Sequence, residues 1–167
     1  MLTQAFTDYK HGIRPSGPGA RDLVEFFETV DGKLRISDAG APKATSDPAV
    51  RNLMSKRAAS LHLGAANYCW FTDPSRALCL KLAGTPTADK PLAGMCDSTR
   101  CAQATHHQCH RPVWAEQAQT LRVFIGGLSR RQTTERHRLG AELARIEKVI
   151  TDIDASEDTA SSPNGKP

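Results

Sequence analysis

Residues 95–114 read MCDSTRCAQATHHQCHRPVW, and with Cys79 they decide how this chain is expected to fold. The thiols and imidazoles of this region are Cys79, Cys96, Cys101, His106, His107, Cys109 and His110. Zinc binds thiolate sulfur and imidazole nitrogen tetrahedrally, and a long loop bounded by such groups lets four of them converge without a large core. The spacing therefore predicts a structural Zn²⁺ site that staples a loop.

The favoured ligand set consists of four thiolates, with imidazoles as replacements. It comprises Cys79, Cys96, Cys101 and Cys109, with His106 the first replacement and His107 or His110 the next. Cys69 is left out because its position between Tyr68 and Trp70 is typical of a small buried core residue. The alternative interpretation is a set of unconnected buried thiols beside a surface run of histidines. A catalytic zinc ion is not expected, because neither an HExxH nor an HxE...PCxxC pattern is present.

The composition fits a small protein whose core needs such a metal. The chain has 167 residues, a hydrophobic fraction of 39% and an aromatic fraction of 5%, which allow one modest domain. Five cysteines without a secretory signal favour metal ligands or buried thiols over disulfides. No stretch approaches the roughly twenty apolar residues that cross a bilayer. We therefore expect a soluble, cytoplasmic protein that does not contact membranes.

Hydrophobic periodicity divides the chain into four parts and predicts a mainly α fold. Residues 1–20 predict a flexible arm, and residues 21–112 predict a small helical domain with a zinc-stapled loop. Residues 37–46 form a connector within that domain. Residues 113–154 predict a helical hairpin or short coiled coil, and residues 155–167 a disordered tail.

Local signals place the shorter elements. Residues 21–30 fit a short helix, although residues 30–34 would equally serve as a hairpin turn. An Asp-Pro dipeptide, which caps and opens helices, predicts one helix over residues 47–62 and another over residues 73–84. The aromatic residues 67–71 fit a short buried strand.

Arginines cluster around the predicted turn of the helical hairpin. They are Arg122, Arg130, Arg131, Arg136 and Arg138. The formal net charge of +4 permits contact with a polyanion. Phosphate contacts give salt-dependent affinity that is largely independent of sequence, so this tip predicts a surface that contacts DNA. The equally weighted alternative is a solvated helix start whose arginines bind nothing.

Two strings prompt a comparison with a known family. Residues 63–101, LGAANYCWFTDPSRALCLKLAGTPTADKPLAGMCDSTRC, and residues 103–114, QATHHQCHRPVW, resemble the zinc-containing C-terminal segment of site-specific integrases from bacterial mobile elements. The resemblance extends over roughly residues 21–154. It implies a role in DNA integration and recombination.

The catalytic part of such integrases is not expected in this chain. Tyrosine recombinases need an Arg, a His-x-x-Arg element and a nucleophilic Tyr, and we expect no such set here, where Tyr9 and Tyr68 are the only tyrosines. The resemblance therefore implies a non-catalytic accessory or truncated segment that binds DNA or a recombinase. The first alternative is a zinc-stabilised interaction module that self-associates through its C-terminal helices. The second is an enzyme with a zinc-bound water, which would need an open coordination position.

Overall fold

The computed structural model describes the backbone of residues 1–38 and 48–161, and the side chains of residues 1–33 and 48–156. Over these residues the fold is mainly helical, with one small antiparallel sheet, which confirms the predicted mainly α class. No helix in the described ranges is long and apolar enough to cross a membrane.

The N-terminal segment, expected to be an extended arm, instead begins with a helix. Helix α1 spans Leu2–Lys10, and helix α2 spans Ala20–Asp38. The core cluster that joins them to the rest of the protein is Leu2, Ala5, Leu23, Phe27 and Trp70. Leu2, Ala5, Phe6 and Tyr9, at three- and four-residue spacing, give α1 an apolar face that packs into the core, and the prediction of an arm overlooked this signal.

Helix α2 settles the choice that the sequence left open between a helix and a hairpin. The chain stays helical from Ala20 through residues 30–34, so the hairpin turn does not form there. The predicted connector at residues 37–46 is helical at residues 37–38, and its remainder lies outside the described residues.

Three short strands form an antiparallel sheet in the order β1-β2-β3. They follow helix α3, which spans Pro48–Ala59 and ends slightly earlier than predicted. The strands are β1 at Leu61–Leu63, β2 at Tyr68–Trp70 and β3 at Ala104–Thr105. The prediction of a strand within residues 67–71 is confirmed.

The segment after α1 pairs with the far end of the sheet. Ser16 and His106 form an isolated antiparallel bridge, with the Ser16 N–H donating to the His106 carbonyl at 2.9 Å. The His106 N–H donates in return to the Ser16 carbonyl at 2.8 Å. The N-terminal segment is therefore built into the same body as the cysteine-rich loop.

The second Asp-Pro signal produces two short helices rather than one. A 3-10 turn spans Pro74–Arg76, and the Asp73 carboxylate accepts a hydrogen bond from the Ser75 N–H at its start. Helix α4 follows at Leu78–Ala83 and ends at Gly84, whose φ of 70° is the left-handed conformation that glycine adopts readily.

A helical hairpin closes the fold, as predicted. Helix α5 spans Arg111–Gly127 and helix α6 spans Thr133–Ser161. Their shared apolar cluster is Trp114, Ala118, Ile146, Val149 and Ile153. The Trp114 indole N–H also donates to the Ala66 carbonyl at 2.8 Å, which links the hairpin to the sheet region. Helix α6 continues into the segment expected to be a disordered tail, whose last residues, 162–167, lie outside the described chain.

Candidate metal centre

Four of the five cysteines line one small cavity beside the sheet. The cavity has a volume of about 120 Å³, and its lining includes Cys69, Cys79, Cys96 and Cys101. All four are free thiols. Four cysteines from separate parts of the fold therefore border one shared space.

Each thiol is placed by a different local structure. Cys69 lies in β2 and pairs with Ala104 of β3, while Cys79 lies in the first turn of α4. The Cys96 N–H closes a 3-10 turn, and the Cys101 N–H donates to the Asp97 carbonyl at 3.0 Å. Short hydrogen-bonded turns thus fix the backbone at Cys96 and at Cys101.

The thiols perturb one another. Burial, together with the nearby Cys101, Cys96 and Cys79, raises the pKa of Cys69 to about 12. Burial also raises the pKa of Cys96, with added contributions from Cys101, Cys79 and Asp97. Thiolates are disfavoured here because they would be poorly solvated and would repel each other. A bound cation would relieve both penalties.

The present side-chain positions do not form a coordination sphere. In the described ranges, no group of three or more His, Cys, Asp or Glu side chains is placed where it could hold a metal ion. The Cys96 Sγ lies 3.9 Å from the Oδ1 of Asn67, which lines the same cavity. Metal binding in this cavity requires the thiols to turn towards its centre.

Two members of the predicted ligand set lie away from this cavity. Cys109 is exposed, with its Sγ 3.4 Å from the Tyr68 hydroxyl oxygen. His106 is buried, with its Nε2 3.2 Å from the Ser98 Oγ and its ring edge-on to Trp114. The structure therefore brings together Cys79, Cys96 and Cys101 of the predicted set, but neither Cys109 nor His106.

Cys69 is the cavity residue that the sequence reasoning set aside. Its aromatic neighbours indicated a core position, and Trp70 is indeed buried while Cys69 is half-buried. Because side chains alternate across a strand, the neighbour of a buried residue faces elsewhere. The available signal was this alternation, which places Cys69 on the face of β2 opposite to that of the buried Trp70.

The imidazoles of His106, His107 and His110 do not form a surface run, because His106 and His110 are buried and His107 is half-buried. Burial lowers the pKa of His106 and of His110 to about 4, and that of His107 to about 3. The His107 Nε2 lies 2.9 Å from the Thr105 Oγ1, and the His107 N–H donates to the His110 Nδ1 at 3.0 Å. These histidines are neutral at pH 7 and hold the end of β3 to the start of α5.

Three of the five arginines predicted to bind nucleic acid are engaged within the hairpin. The contacts are Arg122 with Glu147, Arg138 with Glu135, and Arg136 with the Leu128 carbonyl, at 2.7 Å each. Among the described residues, no hydrogen bond or ion pair holds Arg130 or Arg131. The exposed positive charge at the tip is therefore concentrated on these two side chains.

A His-x-x-Arg spacing does occur in the chain, at His11 and Arg14, a match that the expectation above missed. Both side chains are exposed just after α1. In the part of the chain that is described, no hydrogen bond joins either of them to Tyr9 or Tyr68. The spacing is therefore not part of an assembled site within those residues.

The chemistry of the cavity is that of soft donors. Four sulfurs suit zinc better than magnesium or calcium, which prefer oxygen ligands. The lining also contains Asp97, which is half-buried at the start of the turn that ends at Cys101.

Comparison of the chain with family models, with curated proteins and with solved structures gave no match.

Proposed function

We propose that this protein is a non-catalytic binding module stabilised by one structural zinc ion. The observation that carries this proposal is the cavity shared by Cys69, Cys79, Cys96 and Cys101. Four thiolates are a common ligand set for structural zinc and leave no coordination position open for a reactive water. The metal would join β2, α4 and the turn that precedes β3.

The energetic reason for a metal here is the small amount of apolar burial. The cluster next to the cavity consists of Ala77, Cys79 and Leu80. Most of the loop at residues 85–95 is exposed. Structural zinc contributes folding free energy by linking segments that such a core cannot hold, so its loss should open this region.

Elemental analysis of the purified protein, paired with thermal unfolding before and after chelation, tests the proposal. We expect about one zinc per chain and a large loss of stability on chelation. Cobalt substitution adds a direct view of the ligands, since the ligand-field bands report tetrahedral sulfur coordination. Metal-free protein whose unfolding temperature is unaffected by chelators would contradict the proposal.

We further propose DNA as the partner, in the integration of mobile elements. The support is the resemblance of residues 63–101 and 103–114 to integrase segments, together with the net charge of +4. The unengaged Arg130 and Arg131 offer phosphate contacts at the hairpin tip. Anisotropy of a fluorescein-labelled duplex should show binding that weakens steeply with salt, and absence of binding at low salt would remove DNA as the partner.

Self-association through the C-terminal helices is the second candidate. It is favoured by Val123 and Phe124 of α5, which are 66% and 57% exposed. Adjacent exposed apolar side chains of this size are typical of contact surfaces. Sedimentation of the wild type and of Phe124→Ser distinguishes the candidates: a dimer that the substitution dissociates favours self-association, and a monomer at all concentrations excludes it.

A further inference from the structure

Two adjoining cavities meet at one unpaired arginine of α6. Their volumes are about 470 Å³ and about 310 Å³, and Thr99 and Arg145 line both. The smaller cavity is also lined by Gly17, Pro18, His106, Lys148, Val149 and Asp152. It is separate from the cavity of the four cysteines.

Charge in the smaller cavity is unbalanced. Lys148 is paired with Asp152, with its Nζ 2.8 Å from one carboxylate oxygen. Within the described ranges, no hydrogen bond or ion pair holds the Arg145 guanidinium. Two cations thus face one carboxylate, and the side chains of Arg145 and Lys148 are exposed. An anion can reach them from solvent.

The carboxylates of the larger cavity are engaged elsewhere. Asp97 accepts a hydrogen bond from the Thr99 hydroxyl at 2.6 Å, and Glu142 lies 3.8 Å from the Arg138 guanidinium. Neither neutralises Arg145. The positive charge of Arg145 therefore remains available to both cavities.

The part of the smaller cavity's wall formed by Gly17 and His106 is closely packed. His106 is 1% exposed, and its Nδ1 has no hydrogen-bond partner among the described residues. A Cβ placed on Gly17 would lie 2.7 Å from that nitrogen, so only glycine lets the backbone approach this closely. The bridge between Ser16 and His106 holds this wall in place.

We infer that the smaller cavity binds a phosphate group through Arg145 and Lys148. A guanidinium presents a planar fork of donors that matches phosphate oxygens, and an ammonium adds a second point of charge. A free phosphate and a phosphodiester of nucleic acid share this chemistry. Binding of a phosphodiester rests on the proposed DNA-binding function, whereas binding of free phosphate does not.

The experiment compares Arg145→Gln with Arg51→Gln, a matched loss of one exposed arginine of α3 that has no hydrogen bond or ion pair among the described residues. Arg131→Gln, at the hairpin tip, is included for the DNA titration. Inorganic phosphate is titrated at constant ionic strength and followed by NMR, and circular dichroism checks that the variants keep their helices. We expect Arg145→Gln to weaken phosphate binding about tenfold and Arg51→Gln to leave it unchanged. No phosphate binding by the wild type, or equal binding by Arg145→Gln, would overturn the inference.

Titration of a labelled DNA duplex on the same proteins separates the two sources of phosphate. If Arg145→Gln weakens duplex binding about tenfold as well, the cavity takes a phosphodiester. If it weakens inorganic phosphate binding alone, the cavity takes free phosphate, and DNA binding stands or falls separately. If Arg131→Gln weakens duplex binding while Arg145→Gln changes neither titration, the proposed function survives and this inference fails.

Discussion

Trp70 donates a hydrogen bond from its indole nitrogen to the Thr105 hydroxyl at 2.9 Å, across the junction of β2 and β3. Both side chains are buried. The same hydroxyl lies 2.9 Å from the Nε2 of His107, so one threonine serves two polar groups. This contact joins the sheet to the histidine cluster.

Thr105→Val should lower the free energy of unfolding by about 1–3 kcal/mol. The substitution keeps the shape of the side chain but leaves the buried Trp70 N–H without an acceptor. Urea denaturation followed by tryptophan fluorescence measures the change. Thr105→Ser, which keeps the hydroxyl, should lose less, and a valine variant as stable as the wild type would contradict the role assigned to this contact.

Cys69→Ser should reduce the zinc content of the protein and make its stability insensitive to chelators. Its thiol lies in the four-cysteine cavity, whereas that of Cys109 lies beside Tyr68. Cys109→Ser is therefore the matched control and should retain the metal. The reverse result, with zinc lost from Cys109→Ser alone, would restore the ligand set predicted from the sequence.

Stability should fall as the pH drops from about 6.5 towards 4. The pKa of an exposed histidine is 6.5, and burial lowers the values for His106 and His110 to about 4 and that of His107 to about 3. Below pH 6.5 these histidines bind protons in the unfolded chain but not in the folded chain. The free energy of unfolding that they contribute above this pH is therefore progressively lost as the pH falls. Urea midpoints across this range, with zinc content measured at each pH, test the prediction.

His137→Gln is the control for this pH dependence, because His137 is exposed on α6. Its profile should match that of the wild type. A flat wild-type profile between pH 7 and 4.5 at constant zinc content would show that the imidazoles are not buried as the structure has them.

Gly17→Ala should destabilise the fold by about 1–3 kcal/mol. Gly17 has a φ of 91°, and an added Cβ would meet the His106 Nδ1 at 2.7 Å. Gly126→Ala is the comparison, since an added Cβ there meets nothing within 4 Å and the position is helical. That variant should be as stable as the wild type or slightly more stable. Thermal unfolding of the pair measures the difference, and equal losses would argue against the close packing at Gly17.

Arg136→Ala should weaken the α5–α6 hairpin by about 1 kcal/mol. The guanidinium donates to the Ile125 and Leu128 carbonyls at the C-terminal end of α5, and the Ile125 carbonyl also accepts from the Leu128 N–H. Arg131→Ala removes a neighbouring charge with no such contact and should change stability by less than about 0.5 kcal/mol. Chemical denaturation of both variants tests this, and indistinguishable midpoints would count against a capping role for Arg136.

The sequence predicted best the elements with a long apolar period. The hairpin of α5 and α6 follows from apolar residues at three- and four-residue spacing over many turns, so both helices were predicted, although α6 extends to Ser161, into the segment expected to be a disordered tail. Strands β1 and β3 span three and two residues, too short for any periodicity. Their pairing depends on contacts between distant segments, which local patterns do not encode.

The candidate centre was predicted in part for the same reason. Spacing alone favoured the compact group that ends at Cys109 and His110, because spacing reports only which residues are close along the chain. In the structure, Cys109 lies next to Tyr68 on the side of α1, and Cys69 of β2 lines the cavity. The alternative interpretation placed the histidines at the surface, yet His106 and His110 are buried, and the His106 ring packs against Trp114.

The bridge between Ser16 and His106 also sets an order of assembly. It joins residues 90 positions apart, whereas the contact of Arg136 with Leu128 spans eight. Contacts of high sequence separation form late because their closure costs more chain entropy. We expect the hairpin to acquire its structure before the N-terminal segment docks. Substitutions at Gly17 should accordingly accelerate unfolding while leaving the refolding rate almost unchanged.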